Sequence, residues 1–280
     1  MRDLIRRAAV AAGATALMLG ASAGAAAAST SAPASHLYWA NNQAGTIVEA
    51  NLNGTSAHII ASGQHGPRGV AVGASHLYWA DEAAGTIVEA NLNGTSAHVI
   101  ASGQGSPFGV AVGASHLYWA DEAAGTIVEA GLNGTSAHVI ASSQGQPLGV
   151  AVNASHLYWA NLNAGTIVEA GLDGTGAHAV ASGQLFPAGV AVDASHLYWG
   201  NQGTVTNPGT IMEAGLDGTS AKTIASGKGS PYGVAVNASH LYWANQTTTA
   251  GTVHEANLDG TSAKVIASRQ NGPSGVAVGP

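Results

Sequence analysis

The pentapeptide Ser-His-Leu-Tyr-Trp occurs six times in this chain of 280 residues. Its starting points are 40 residues apart four times and 44 residues apart once, at Ser35, Ser75, Ser115, Ser155, Ser195 and Ser239. A period near 40 is typical of repeat architectures, in which each repeat buries its apolar face against its neighbours. We therefore expect a repeat protein. Comparing its copies separates positions that build the fold from positions that are free to differ.

Each repeat contains four stretches with the pattern of a short strand and none with helical periodicity. In the repeat that starts at Ser75, these are residues 76–80, 86–90, 97–101 and 109–112, which are rich in aromatic or β-branched residues. The Asn-Gly dipeptide before the third stretch is typical of a tight hairpin, because both of its residues need a positive φ. Four short antiparallel strands in about 40 residues match one blade of a β-propeller.

We name the four strands by their motifs: A for Gly-Val-Ala-Val, B for Tyr-Trp, C for Thr-Ile-x-Glu, and D for His/Lys-x-Ile-Ala. The first repeat has no A strand before its B strand, whereas residues 275–278 form an A strand with no B strand after it. Pairing the two ends closes a ring and removes the exposed edges of an open array. We predict an all-β, six-bladed β-propeller of four-stranded antiparallel blades over residues 35–280, with the C-terminal strand joining the N-terminal blade.

These motifs resemble the YWTD repeat of low-density-lipoprotein-receptor class B domains. The matching segments are Leu-Tyr-Trp-Ala-Asp at 77–81 and 117–121, Leu-Asp-Gly-Thr at 172–175, and the repeated Gly-Thr-Ile-x-Glu-Ala and Pro-x-Gly-Val-Ala-Val. The motif's Thr is Ala or Gly here, and its Asp is Asn in four repeats. The resemblance implies a six-bladed propeller serving as a binding scaffold, in a secreted bacterial-type member. Gluconolactonase and NHL-type propellers have a related shape and include enzymes, so the fold leaves the chemistry open.

Residues 1–28 have the pattern of a secretory signal peptide, with three arginines, an Ala- and Leu-rich stretch, and small residues at the end. Arg6-Arg7 leaves both general secretory and twin-arginine export open. Residues 29–34 are expected to form a short linker, and the protein to be extracellular or periplasmic without membrane insertion. The chain contains no cysteine, so packing rather than disulfides must stabilise it.

The charge balance narrows the class of partner. Residues 29–280 carry five basic and fourteen acidic residues. An acidic surface without a basic stripe argues against nucleic acid and anionic membranes. We expect a monomer that binds a protein, a peptide or a glycan.

The differences between repeats predict which face binds. In an antiparallel blade, the A–B and C–D loops share one face and the B–C and D–A loops share the other. The first two loops are nearly constant, whereas the last two vary in sequence and length. Loops on a rigid scaffold commonly carry function, so we predict that the B–C/D–A face binds the ligand.

The residue between Pro and Gly at the start of each A strand differs in every repeat and is predicted to ring the mouth of the central channel. These residues are Arg68, Phe108, Leu148, Ala188, Tyr232 and Ser274. Arg68, Phe108, Leu148 and Tyr232, with His65 nearby, form the candidate ligand pocket. The alternative is that these positions vary because nothing constrains them.

Carboxylate and imidazole side chains are the potential metal ligands in this sequence. Asp81, Glu82, Asp121 and Glu122 form a candidate acidic patch for calcium or a cationic ligand, the alternative being two solvated loops. The six Ser-His histidines and the repeated strand C glutamates recur in every blade, so they cannot converge on one ion. The histidines are expected to have a structural role, such as a hydrogen bond to a turn or strand, and the glutamates to pair within each blade. No metal ligand or catalytic set is assigned from these residues, and no cofactor is expected beyond the calcium alternative.

The repeat symmetry without a unique catalytic set favours a secreted, non-enzymatic binding propeller. The alternative is a secreted lactonase- or lyase-type enzyme with a metal at the channel mouth, and a third hypothesis is an envelope-associated structural protein.

Overall fold

The computed structural model describes residues 35–227, 229–247 and 250–280, which form 24 strands and no helix. In chain order the strands are β1 (His36–Asn41), β2 (Thr46–Asn51), β3 (His58–Ala61), β4 (Pro67–Val72), β5 (His76–Asp81), β6 (Thr86–Asn91), β7 (His98–Ala101), β8 (Pro107–Val112), β9 (His116–Asp121), β10 (Thr126–Gly131), β11 (His138–Ala141), β12 (Pro147–Val152), β13 (His156–Asn161), β14 (Thr166–Gly171), β15 (His178–Ala181), β16 (Pro187–Val192), β17 (His196–Asn201), β18 (Thr210–Gly215), β19 (Lys222–Ser226), β20 (Pro231–Val236), β21 (His240–Asn245), β22 (Gly251–Asn257), β23 (Lys264–Gln270) and β24 (Pro273–Gly279).

The strands pair into six four-stranded antiparallel sheets, each in the order A-B-C-D. We number these blades 1 to 6 in chain order. Blade 1 has the order β24-β1-β2-β3, with Leu37 opposite Val278 and Trp39 opposite Val276. Ser35 N donates a hydrogen bond of 2.8 Å to the carbonyl oxygen of Gly279. The six-bladed propeller and its closure by the C-terminal strand are therefore confirmed.

The A strands pack against one another around the axis, and a glycine in each makes this approach possible. A Cβ on Gly149 would collide with the carbonyl oxygen of Ala188 in the next blade, and its distance to the nitrogen of Val190 would be only 2.8 Å. The same contact recurs at all six blades, and Gly275 of blade 1 meets the carbonyl of Arg68 in blade 2. The invariant glycine of the repeat is thus required by backbone proximity at the axis.

The core lies between the blades. Along each B strand, alternate side chains point to opposite faces of the blade. Tyr78 and Ala80 of blade 2 pack with Leu117 and Trp119 of blade 3, and the other blade pairs repeat this arrangement. All six tryptophans have 0% of their surface exposed. Each buries roughly 200 Å² of surface, so these wedges are a large part of the hydrophobic stabilisation.

The repeated glutamates pair within each blade, as the sequence predicts, and the structure shows that the repeated histidines are their partners. In blade 1, Nε2 of His36 and Nε2 of His58 lie 3.8 Å and 3.6 Å from the two oxygens of Glu49. In blades 5 and 6 a lysine replaces the strand D histidine, with Lys264 Nζ 3.0 Å from Glu255. These pairs place basic side chains beside a largely buried carboxylate on strand C of every blade, away from the channel mouth.

The strand B tyrosines make the fold sensitive to alkaline pH. Burial, followed by the charge of the neighbouring glutamate, raises the pKa of Tyr38, Tyr78, Tyr118, Tyr158 and Tyr242 to about 12. The unfolded chain therefore loses these protons at a lower pH, near 10, than the folded protein does. We expect stability to be unaffected by these groups below about pH 10 and to fall as the pH rises towards about 12.

Urea unfolding followed at a series of alkaline pH values, with tyrosinate absorbance recorded in parallel, measures this effect. Tyrosinate should form together with unfolding. Tyr158→Phe removes one titrating group, so the free energy of unfolding should fall less steeply with pH, by an amount that corresponds to at most one proton. Tyrosinate that forms below about pH 11 with the fold intact would contradict the expectation.

The signal peptide and linker predicted over residues 1–34 lie outside the described residues. Among the residues that the structure describes, no helix is long and apolar enough to cross a membrane.

Candidate functional site

Backbone hydrogen bonds bring the D–A and B–C loops together on one face. Strand B of each blade ends in Asn or Asp, and strand A begins with Pro. The residue that follows strand B donates its N–H to the carbonyl oxygen of the residue that precedes strand A of the same blade. Glu82 N to Gly66 O measures 3.1 Å, and Leu162 N to Gln146 O measures 2.9 Å. The residues fixed in this way form what we call the outer ring: Asn42, Glu82, Glu122, Leu162, Gln202 and Gln246. The six residues that follow the strand A prolines form the inner ring.

A β-bulge positions the inner ring. In blade 3, Pro107 pairs with Asp121 and Val110 with Trp119, so two residues, Phe108 and Gly109, face one residue of strand B. The register shifts at this place in every blade. Bulges re-aim side chains locally, and this one places each inner-ring side chain at the end of the channel.

Two aromatic residues of the inner ring meet across the axis. Phe108 and Tyr232 belong to opposite blades, and their rings are stacked with centroids 6.1 Å apart and planes at 27°. The guanidinium carbon of Arg68 lies 5.0 Å from the centre of the Phe108 ring. Leu148 and Ala188 are buried beside this stack and pack with Leu162. Four of the five predicted pocket residues, Arg68, Phe108, Leu148 and Tyr232, are therefore brought together at the channel mouth.

An ion pair borders the aromatic stack. Arg68 Nε donates a hydrogen bond of 2.6 Å to Glu82 Oε2, and both side chains are mostly buried. Glu122 Oε1 accepts a hydrogen bond of 2.7 Å from Gln146 Nε2. Burial first, and then the charge of Glu82, raises the pKa of Glu122. Two carboxylates thus share the neighbourhood of a single cation at the mouth.

The four carboxylates of the predicted acidic patch separate into two kinds. Asp81 and Asp121 point inward, with 3% and 4% of their surface exposed, and hold the D–A loop. Asp121 accepts hydrogen bonds from the backbone N–H groups of Gly105, Ser106 and Ala124. Burial raises the pKa of Asp81, against the lowering effect of the hydrogen bond from the His65 backbone. Only Glu82 and Glu122 reach the channel mouth.

The candidate metal ligands do not gather into one cluster. Across residues 35–227, 229–247 and 250–280, no group of three His, Cys, Asp or Glu side chains is arranged to hold a metal ion. Calcium binding at the acidic patch stays a prediction. His65 has an exposed side chain whose Nδ1 lies 4.0 Å from Asp81 Oδ2, outside the aromatic stack.

Below the mouth, the channel itself is narrow. A cavity of about 50 Å³ runs between the A strands and is lined mainly by their glycines and valines, with Arg68, Phe108 and Tyr232 at its end. Pockets for small-molecule ligands usually have about 300–1,000 Å³. A ligand of ordinary size must therefore bind on the face and not within the channel.

A polar pocket beside the mouth is a feature that the sequence did not single out. It has a volume of about 230 Å³ and lies where blades 6, 1 and 2 meet. Its lining residues are Asn42, Gln43, Arg68, Tyr232, Gln246 and Thr247. We call it the amide pocket. The signal for it was present in the varying B–C loops, but only the ring geometry places loops from the first and last repeats side by side.

Neither protein-family models nor curated proteins match this chain. Among solved structures, the chain is similar to one from the crystal structure of a nidogen/laminin complex. The TM-score is 0.77 at 23% sequence identity, and the match covers 88% of this chain and 98% of that one. At this identity the likeness supports the propeller fold alone.

Proposed function

We propose that this protein is a secreted, non-enzymatic binding propeller of the YWTD type that recognises a protein, a peptide or a glycan across its B–C/D–A face. The observation that carries the proposal is the unequal distribution of differences among the six blades. The A–B and C–D loops are nearly identical in all blades, whereas the inner and outer rings on the opposite face hold different side chains. A binding surface needs such asymmetry, because a six-fold repeated surface offers a partner no single orientation.

The chemistry at the channel mouth supports a macromolecular partner. Tyr232 and Arg68 are of the residue types that contribute most to binding energy at protein interfaces, and Phe108 is of a type that is enriched there. They lie at the centre of the face, next to Glu82, which holds the Arg68 side chain in place. Phe108 is itself buried, with 7% of its surface exposed, and it supports the Tyr232 ring and the Arg68 guanidinium, which a partner would contact. Side chains that are already held rigid lose little conformational entropy on binding.

Two further observations are in keeping with this proposal. The similar solved structure is that of a nidogen/laminin complex, in which the propeller fold occurs within a protein assembly. The basic start, apolar stretch and small residues of residues 1–28 suit export, which would place the face outside the cytoplasm.

Affinity capture from culture supernatant and cell-wall extract, followed by measurement of partner affinity, tests the function. We expect the double variant with Phe108→Ala and Tyr232→Ala to bind the captured partner at least about tenfold more weakly, since the central anchors are removed. The melting temperature of each variant shows whether the propeller remains folded.

The matched control is Ser115→Ala, which changes an exposed A–B loop on the opposite face. This variant should bind as the unmodified protein does. Partner affinity that is unchanged without both aromatic side chains, or that falls equally with Ser115→Ala, would contradict binding at the B–C/D–A face.

A further inference from the structure

The amide pocket is rich in hydrogen-bonding groups that the fold does not use. Within the described residues, the side-chain amides of Asn42, Gln43 and Gln246 form no hydrogen bond. Thr247 Oγ1 accepts a bond of 3.3 Å from Ala250 N and keeps its own proton to donate. Each amide offers both donors and an acceptor. In blades 2 and 3, by contrast, the outer-ring side chains Glu82 and Glu122 are already paired.

The pocket has little net charge. Among the described residues that line it, Arg68 is the one that carries a charge, and its guanidinium is already compensated by Glu82 at 2.6 Å. None of the lining residues that the structure describes carries a carboxylate. A strongly charged ligand would therefore lose hydration without gaining a free counter-charge, which favours a neutral ligand.

The walls and the volume of the amide pocket restrict the class of ligand further. Tyr232 supplies an aromatic wall, held in position by its stack on Phe108. The volume of about 230 Å³ is below that of sites for drug-sized molecules, which suits a single small ring. Closely spaced donors and acceptors beside an aromatic surface match a sugar, whose hydroxyl groups both donate and accept while its C–H groups are apolar.

We propose that the amide pocket binds one neutral sugar residue of a glycan. Asn42 and Gln246 hydrogen-bond its hydroxyl groups from two sides, and Tyr232 contacts its C–H face. The inference rests on the proposed function insofar as the pocket opens on the same face, and it specifies the ligand class of one part of that face.

Saturation-transfer NMR and titration calorimetry on the full propeller test this inference. The probes are glucose, galactose, mannose and N-acetylglucosamine with their oligomers, and glucuronate is the charged comparison. We expect at least one neutral sugar to bind, glucuronate to bind more weakly than glucose, and both Asn42→Ala and Gln246→Ala to reduce affinity at least about tenfold.

Asn163→Ala is the matched control, since Asn163 is exposed and occupies in blade 4 the position that Gln43 has in blade 1. It should leave sugar affinity unchanged. Absence of binding for every neutral sugar, tighter binding of glucuronate, or equal loss with Asn163→Ala would overturn the inference. If no sugar binds while partner capture still depends on Phe108 and Tyr232, the sugar inference fails and the binding function stands.

Discussion

Deletion of residues 273–280 is expected to abolish cooperative folding of the propeller. These residues contain β24, the innermost strand of blade 1, which pairs with β1 and packs against β4 and β20. Without it, the edge of β1 is unpaired and the ring of A strands is open between blades 2 and 6. Val276 and Ala277, both buried, are also removed from the core. An exposed strand edge beside uncovered apolar surface favours aggregation.

Circular dichroism, urea unfolding and size-exclusion chromatography of the shortened protein measure the effect. The control moves residues 273–279 to a position directly before Ser35, joined by one alanine. This permuted chain supplies the same strand through a connection like the A–B loops of the other blades, and it should recover a cooperative transition. A shortened protein that stays monomeric and unfolds as sharply as the full chain would show that closure is not needed.

Gly149→Ala is expected to lower the free energy of unfolding by at least about 3 kcal/mol, which for a domain of this size shifts the melting temperature by roughly 6–12 °C. The added Cβ would collide with the backbone of Ala188 in the neighbouring blade. Backbone cannot move aside as the end of a flexible side chain does, and the ring of six A strands transmits any displacement around the axis.

Gly103→Ala is the matched control for this effect. Gly103 has a φ of 73° in a D–A loop, and no atom lies within 4 Å of an added Cβ. Gly103→Ala should therefore lower the free energy of unfolding by only about 1 kcal/mol, which is the cost of holding an alanine in the left-handed region. Thermal and urea unfolding of the two variants separates the cost of the backbone collision from the cost of the left-handed conformation. A loss at Gly149 no larger than that at Gly103 would contradict the close packing of the A strands.

Much of the fold was accessible to sequence reasoning because the chain repeats itself. The strand pattern at 76–80 corresponds to β5 at His76–Asp81, and the complementary ends predicted the pairing of β24 with β1. The A strand was predicted over 109–112, whereas β8 begins at Pro107. The difference is the β-bulge at Phe108 and Gly109, which depends on register between strands and leaves little trace in a single strand's pattern.

Less of the candidate site than of the fold could be predicted from the sequence. Comparison of the repeats identified Arg68, Phe108, Leu148 and Tyr232, because each departs from an otherwise constant motif. It did not show that Phe108 and Tyr232 stack across the axis, or that Asp81 and Asp121 turn inward to bind loop N–H groups while Glu82 pairs with Arg68. The stack depends on a distance between two blades that are far apart in the chain. The inward aspartates and the Arg68–Glu82 pair depend on how strands A and B of one blade are aligned at the bulge.

The repeated motifs were sufficient to specify the blades, their number and the closed ring, since period, alternation and complementary ends are properties of the chain itself. The same motifs could not predict that Asn42 lies beside Gln246, because the two residues belong to the first and the last blade and are far apart in the sequence. Ring closure brings them together, and the small Ser274 between Tyr232 and Arg68 in the inner ring is consistent with the room found there. Contacts that exist only because a ring closes cannot be read from one repeat, and in this protein they form the amide pocket.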